Sequence, residues 1–77
     1  MILDLTQLKS GQKGIVVEIQ GGRGLISHLQ RMGVRSGKKI TKVSAQLLRG
    51  PQILKVDNSQ FAVGFGMARK ILIEVEE

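Results

Sequence analysis

Short runs of alternating apolar and polar residues are the feature that most constrains the fold of this chain. In residues 14–20, Ile15, Val17 and Ile19 occupy every second position, which predicts a half-buried β-strand with these three side chains on one face. Similar alternation recurs later, at residues 42–47, 54–56, 61–65 and 71–76. The pattern predicts an all-β chain of about five strands, typical of a small closed or nearly closed barrel.

Turn residues and one helical segment separate these runs. Gly50-Pro51 and residues 57–60 are typical of turns, and the leucines of residues 5–8 suggest a single helical turn. An apolar stripe with helical spacing predicts one short helix near residues 23–32, ended by Gly33 in the left-handed conformation. The stripe consists of Leu25, Ile26, Leu29 and Met32.

The positive charge is concentrated in the middle of the sequence. The formal net charge is +6, and residues 19–56 contain Lys and Arg but neither Asp nor Glu. Such a block attracts nucleic acid, anionic lipid or an acidic protein surface, although a solvated basic face is the simpler interpretation. Nucleic-acid binding without sequence preference needs exposed aromatic side chains on which bases stack. Phe61 and Phe65 are predicted to share a face with Val63, which is a pattern typical of the core, so the sequence favours this hypothesis less.

Catalytic and nucleotide-binding motifs are incomplete. Gly22-Arg23-Gly24 has Ser27 where a dinucleotide fingerprint has its third glycine, and residues 33–39 have the wrong spacing for a Walker motif. The chain has no cysteine, which excludes disulfides and thiolate chemistry. No serine lies in a G-x-S-x-G elbow. We therefore expect a protein that is not an enzyme, with structural turns at these glycines.

Length and hydropathy suggest the organisation of the chain. Its 77 residues predict a single domain, residues 1–77, with a thin core. No basic leader precedes the first apolar residues, and no run approaches the ~20 apolar residues of a membrane span. We expect a cytoplasmic protein with no membrane insertion. His28 is the single histidine and a weak candidate metal ligand, because a zinc site normally needs four ligands.

The order of several short motifs resembles the FeoA family, the ferrous iron transport protein A family. Three patterns carry the resemblance along nearly the whole chain: L-x-x-L-x-x-G-x-x-G from Leu5, L-x-x-M-G-V-x-x-G-x-x-I from Leu29, and A-x-x-I-x-I-x-V from Ala68. Between them lie a Gly-Gly pair before the predicted helix and Gly50-Pro51. The motif residues expected to be structural are Gly22, Leu29, Met32, Gly33, Gly37, Gly50, Pro51 and Ala68.

The resemblance implies an SH3-like barrel with one helical excursion and a partner. Members of the family are accessories of ferrous iron uptake that are proposed to dock on the cytoplasmic region of FeoB, the membrane transporter. Family membership also implies an association with transition metals, so weak divalent-metal binding is an expectation, with no other cofactor. Self-association into a homo-oligomer is a further possibility, because the edge strands of a barrel can pair with another chain.

The residues predicted to contact the partner form what we call the basic edge, consisting of Arg23, His28, Arg31, Arg35, Lys38 and Lys39. Reversing the charge of Arg35 and Lys38 is expected to weaken docking without unfolding the barrel. The alternative functions are a small basic barrel that binds nucleic acid and a metal-responsive regulatory module.

Overall fold

The computed structural model describes residues 1–45 and 50–76, in which one antiparallel sheet has six strands. The predicted all-β class is confirmed, with one strand more than expected. In chain order the elements are β1 (Ile2–Asp4), a 3-10 turn (Leu5–Gln7), β2 (Lys13–Ile19), α1 (Arg23–Arg31), β3 (Lys39–Ala45), β4 (Gln52–Val56), β5 (Ser59–Val63), α2 (Phe65–Ala68) and β6 (Ile71–Val75).

The strand order places the last strand between the first two. The sheet runs β1-β6-β2-β3-β4-β5, and every neighbouring pair is antiparallel. Asp57 and Asn58 connect β4 to β5 as a two-residue hairpin, because Val56 pairs directly with Ser59. Asp57 has a φ of 54°, which suits an Asx residue at the first position of such a turn. The expected turn at residues 57–60 is therefore shorter than predicted.

The core lies on the inner face of the sheet, under α1 and the 3-10 turn. Its fully buried residues come from nearly every element, so the fold depends on all of them together. They include Leu5, Leu8, Val16, Leu29, Val34, Ile40, Leu54, Val56, Val63, Ala68, Ile71, Ile73 and Val75. The alternation predicted for residues 54–56 and 71–76 is confirmed, since Leu54, Val56, Ile71, Ile73 and Val75 are buried.

A β-bulge in β2 overturns the predicted face of Val17. The register between β2 and β6 shifts between Val16 and Glu18, so Val17 is the extra residue of a bulge. Val16 is therefore buried, whereas Val17 is 40% exposed. The prediction that Ile15, Val17 and Ile19 share a buried face was wrong because a bulge shifts the period-two pattern by one residue.

A second bulge lies in β3, where the register with β4 shifts between Lys42 and Ser44. Lys42, the polar member of the alternating pattern, is the buried residue, with 0% of its surface exposed. Residues 46 and 47, the end of that predicted strand, lie outside the described residues.

Two elements near the ends of the sheet were not predicted. β1 pairs with β6 through Ile2, Leu3 and Asp4. Phe65 begins α2 instead of continuing β5, so the prediction that Phe61, Val63 and Phe65 share a strand face was wrong. The expectation of a single helix was wrong for the same reason. The helical turn expected near Leu5 and Leu8 is present as the 3-10 turn, which Asp4 caps by accepting a hydrogen bond from the backbone N–H of Thr6 at 2.8 Å.

Candidate docking surface

The helix α1 carries half of the basic edge and is held firmly to the barrel. Leu29 is fully buried, and Leu25 and Met32 pack against the core, so one side of the helix is fixed. The other side is exposed at Arg23, Ser27, His28, Gln30 and Arg31. His28 and Arg31 are three residues apart and are therefore neighbours on the helix surface. The structure thus presents Arg23, His28 and Arg31 on a rigid element that faces solvent.

The two ends of α1 differ in how their backbone hydrogen-bonding groups find partners. At the C-terminus, Gly33 has a φ of 89°, its N–H donates to Gln30 at 3.0 Å, and the N–H of Val34 donates to Leu29 at 2.9 Å. These bonds form a Schellman motif, which needs a residue tolerant of positive φ. At the N-terminus, Gly22 makes no side-chain cap and the first turn contains no acidic residue. The first-turn N–H groups and Arg23 thus form a positive end without a compensating acid.

The turn after α1 positions the next members of the basic edge. The N–H of Lys38 donates to the carbonyl of Arg35 at 3.0 Å, and Gly37, with a φ of 90°, occupies the third position of that turn. Two hydrogen bonds join the turn to β2: the N–H of Gly37 donates to Val16 at 2.7 Å, and the N–H of Val16 donates to Lys38 at 2.9 Å. Arg35 is exposed on this turn, whose backbone is fixed against the sheet.

Lys38 and Lys39 differ from the basic residues of α1 because each has a carboxylate neighbour. The Nζ of Lys38 lies 2.9 Å from the carboxylate of Asp57, and the Nζ of Lys39 lies 3.0 Å from the carboxylate of Glu76. Lys39 is the first residue of β3 and belongs to the outer sheet face. The basic edge therefore has two parts: two lysines with acidic neighbours, and four residues that form no ion pair with a carboxylate of residues 1–45 or 50–76, namely Arg23, His28, Arg31 and Arg35.

The outer sheet face next to Lys39 contains a shallow depression of about 280 Å³, lined by Lys39, Thr41, Lys55 and Asp57. It was not predicted from the sequence. Polar residues spaced two apart, Lys39 with Thr41 and Lys55 with Asp57, could have indicated it, but only with knowledge of which strands pair. Lys39 is the one residue common to this depression and the basic edge.

The remaining motif residues hold the framework. Ala68 is fully buried at the end of α2, while Gly50 and Pro51 lead into β4. Gly50 accepts a hydrogen bond from the Nε2 of Gln52 at 3.0 Å. Gly14, part of the first motif, lies so close to β6 that an added Cβ would be 2.4 Å from the Cγ2 of Ile73. These residues belong to the framework of the barrel and are not part of the basic edge.

Lys42 is an internal polar residue that sequence reasoning missed. Its Nζ donates to the carbonyl of Leu5 at 2.6 Å and to that of Leu8 at 3.2 Å, so it caps the end of the 3-10 turn from inside the barrel. Burial lowers the pKa of Lys42 below its usual range, and the nearby Asp4 carboxylate partly opposes this. Its place is structural, since both acceptors are backbone carbonyls of the N-terminal segment.

A metal site is not assembled by the part of the chain that the structure describes. Within residues 1–45 and 50–76, no three His, Cys, Asp or Glu residues lie together in a way that could hold a metal ion. His28 is exposed on α1. These residues of one chain therefore do not fit the four-ligand site that structural zinc requires. Within the same residues, the helices are too short or too polar to cross a membrane.

Comparisons with known proteins agree on one family. A model of the FeoA domain matches residues 3–75. The Methanocaldococcus jannaschii protein named "Putative Fe(2+) transport protein A" is 36% identical over 69 residues, which are 90% of this chain and 82% of that protein. The crystal structure of an iron uptake regulatory protein, FeoA, matches with a TM-score of 0.92 and 33% identity, covering 99% of this chain and 100% of that one.

A more distant structure supports the fold alone. The FeoA of Stenotrophomonas maltophilia, solved in complex with zinc and described as a prokaryotic SH3 domain protein, matches with a TM-score of 0.80 and 17% identity. The alignment covers 94% of this chain and 89% of that one. The SH3-like fold expected from the sequence is confirmed.

Proposed function

The chain belongs to the FeoA domain family, and we propose that it is a cytoplasmic, non-enzymatic accessory of ferrous iron uptake that docks on the cytoplasmic region of a FeoB-type transporter. Its relatives named for Fe(2+) transport and iron uptake regulation support the iron-uptake part of this proposal. The docking part rests on the chain's own surface.

The observation that carries the docking proposal is the rigid positive side of α1 and its following turn. Arg23, His28, Arg31 and Arg35 are exposed, and no carboxylate of the described residues forms an ion pair with them. A rigid cationic surface of this kind favours an acidic partner, because complementary charges accelerate encounter and fix orientation. Little conformational entropy of the backbone is lost on binding, since α1 and the turn are already fixed.

The uncapped N-terminus of α1 adds to the same preference. The free N–H groups of its first turn and the guanidinium of Arg23 both favour a carboxylate. An acidic side chain of the transporter would supply the cap that neither Gly22 nor an acidic residue of the first turn provides. The proposed interface therefore extends from this N-terminus to Arg35.

The test is binding of the transporter's cytoplasmic domain to wild-type protein and to two matched charge reversals. Arg31→Glu combined with Arg35→Glu is expected to weaken binding by roughly tenfold or more, as for charged pairs at an interface. Lys9→Glu combined with Lys13→Glu changes the net charge equally but lies outside the basic edge, so binding should change less than about twofold. Lys38→Glu is a poor choice because it would place a second carboxylate beside Asp57.

Amide NMR spectra of the labelled protein identify the surface and separate the alternatives. Perturbation confined to α1 and residues 33–37 by the transporter domain, persisting at higher salt, supports the proposal. Equal binding by the two double variants contradicts it. Perturbation of the same residues by an oligonucleotide alone, abolished by salt, would indicate a nucleic-acid binder. A change in assembly on adding ferrous iron under anaerobic conditions would indicate a metal-responsive module.

A further inference from the structure

The outer face of the sheet carries a row of three polar side chains across three strands, with a lysine at each end. Lys13 of β2 pairs with Thr41 of β3, and Thr41 pairs with Lys55 of β4. Directly paired residues project on the same side of a sheet, so these three side chains stand in line across three strands. Lys39, two residues before Thr41, lies on the same face. The depression of about 280 Å³ is lined by Lys39, Thr41, Lys55 and Asp57, and Lys13 adjoins it as the direct strand partner of Thr41.

The positive charge of this face is only partly compensated. Lys13 and Lys55 are exposed, and neither forms an ion pair with any residue that the structure describes. Lys39 contacts Glu76, but both side chains are about half exposed, so this pair is weak and exchangeable. Asp57 lines the depression too, but its carboxylate lies 2.9 Å from Lys38. The face is therefore short of negative charge.

We propose that this depression binds a small anion that contains linked phosphate groups. Ammonium groups and the Thr41 hydroxyl are donors that suit phosphate oxygens. The row from Lys13 to Lys55 spans two strand spacings, roughly 10 Å, which favours several linked phosphates over a single one. At about 280 Å³ the depression is smaller than the pockets that hold drug-sized ligands, which are ~300–1,000 Å³.

Charge density distinguishes this ligand from an acidic peptide. An extended peptide carries at most one side-chain carboxylate per residue, and each residue adds about 3.3 Å to the length of the chain. A peptide with several carboxylates would therefore extend beyond the depression. Linked phosphates concentrate more charge in a smaller volume. The proposal does not rest on transporter docking, because the interface proposed for docking ends at Arg35 and Lys39 is the one residue that the depression shares with the basic edge.

The experiment is a titration of the labelled full chain with inorganic pyrophosphate, followed by amide NMR at two salt concentrations. Saturable shifts centred on Lys13, Lys39, Thr41 and Lys55 are expected. Inorganic phosphate should bind more weakly, because it reaches fewer donors. A short oligoglutamate peptide serves as the competing class of anion, and tighter binding of that peptide would overturn the assignment to phosphate.

Four variants test the site, because they are expected to change the affinity for pyrophosphate in different directions. Lys55→Gln and Thr41→Val each remove a donor, and each should weaken pyrophosphate binding by roughly threefold or more. Glu76→Gln removes the carboxylate that competes for Lys39, so binding should tighten by about twofold. Lys70→Gln lowers the net charge by the same amount as Lys55→Gln, but Lys70 lies at the opposite end of β6 from Glu76, so this variant should change binding by less than about twofold.

Thr41→Val is the decisive variant because it leaves the charge unchanged and keeps a β-branched residue in the strand. Unaltered binding by Thr41→Val together with equal weakening by Lys55→Gln and Lys70→Gln would show that the anion responds only to net charge, which overturns the proposal. Shifts spread evenly over all surface lysines, or linear shifts without saturation, would overturn it too. An unchanged far-UV circular dichroism spectrum verifies that each variant is folded.

Discussion

Replacing Gly14 by alanine measures how closely β2 and β6 must pack. An added Cβ would lie 2.4 Å from the Cγ2 of Ile73 and 2.5 Å from the carbonyl oxygen of Glu74, whereas non-bonded carbon atoms prefer ~3.5–4.0 Å. The side-chain contact is fully buried, since Ile73 is 0% exposed, and the second contact is with backbone. Relief therefore requires the two strands to separate by about 1 Å, the shortfall from van der Waals contact.

The expected cost is about 3 kcal/mol of unfolding free energy, at the upper end of the 1–3 kcal/mol usual for overpacking. For a domain of this size, that corresponds to a melting temperature lower by roughly 12–24 °C. Far-UV circular dichroism is the suitable signal for urea and thermal unfolding, because the chain has no Trp or Tyr. The midpoint should fall without a large change in the denaturant slope.

Gly24→Ala is the matched control, since a Cβ at Gly24 in α1 would meet nothing within 4 Å. This variant should be more stable than the wild type by about 0.5–1 kcal/mol, because alanine is the better helix former. A Gly14→Ala protein within about 1 kcal/mol of wild type, below the usual cost of overpacking, would refute the close packing of β2 and β6.

Two further predictions concern the core. Leu29→Ala should destabilise the protein by about 2–5 kcal/mol in urea unfolding, and Met32→Ala by less, because Leu29 is fully buried and Met32 only partly; a larger loss for Met32→Ala would mean that α1 packs differently. Because burial lowers the pKa of folded Lys42 below 10.5, the unfolded chain binds more protons between these two values, and stability should rise with pH there. This slope should vanish in Lys42→Met, so parallel pH profiles for the two proteins would contradict a lowered pKa of the buried Lys42.

The structural features that depend on residues close together in the sequence were predictable. The spacing of Leu25, Leu29 and Met32 predicted α1, and Gly33 was expected at its end because a Schellman motif is built within a few residues. The alternation of Ile71, Ile73 and Val75 predicted the buried face of β6. Each of these features can be read from a window shorter than ten residues.

The features that were missed depend on pairing between distant strands. Val16 and Val17 are both apolar, and only the register with β6 decides which is buried. Lys42 faces the core because carbonyls of Leu5 and Leu8 lie there to accept its hydrogen bonds. Lys38 adjoins Asp57 in the β4–β5 turn and Lys39 adjoins Glu76 just after β6, and both carboxylates lie at least 19 positions away in sequence. No local pattern contains that information.

The position of β6 between β1 and β2 has a consequence for synthesis on the ribosome. While the nascent chain emerges, β1 and β2 are available long before the strand that separates them, and they must not pair with each other. Ile71, Ile73 and Val75 supply the centre of the core, so the barrel can close only after residue 75 has left the exit tunnel. Until then the partly made protein exposes apolar strand edges, which are the surfaces that chaperones protect.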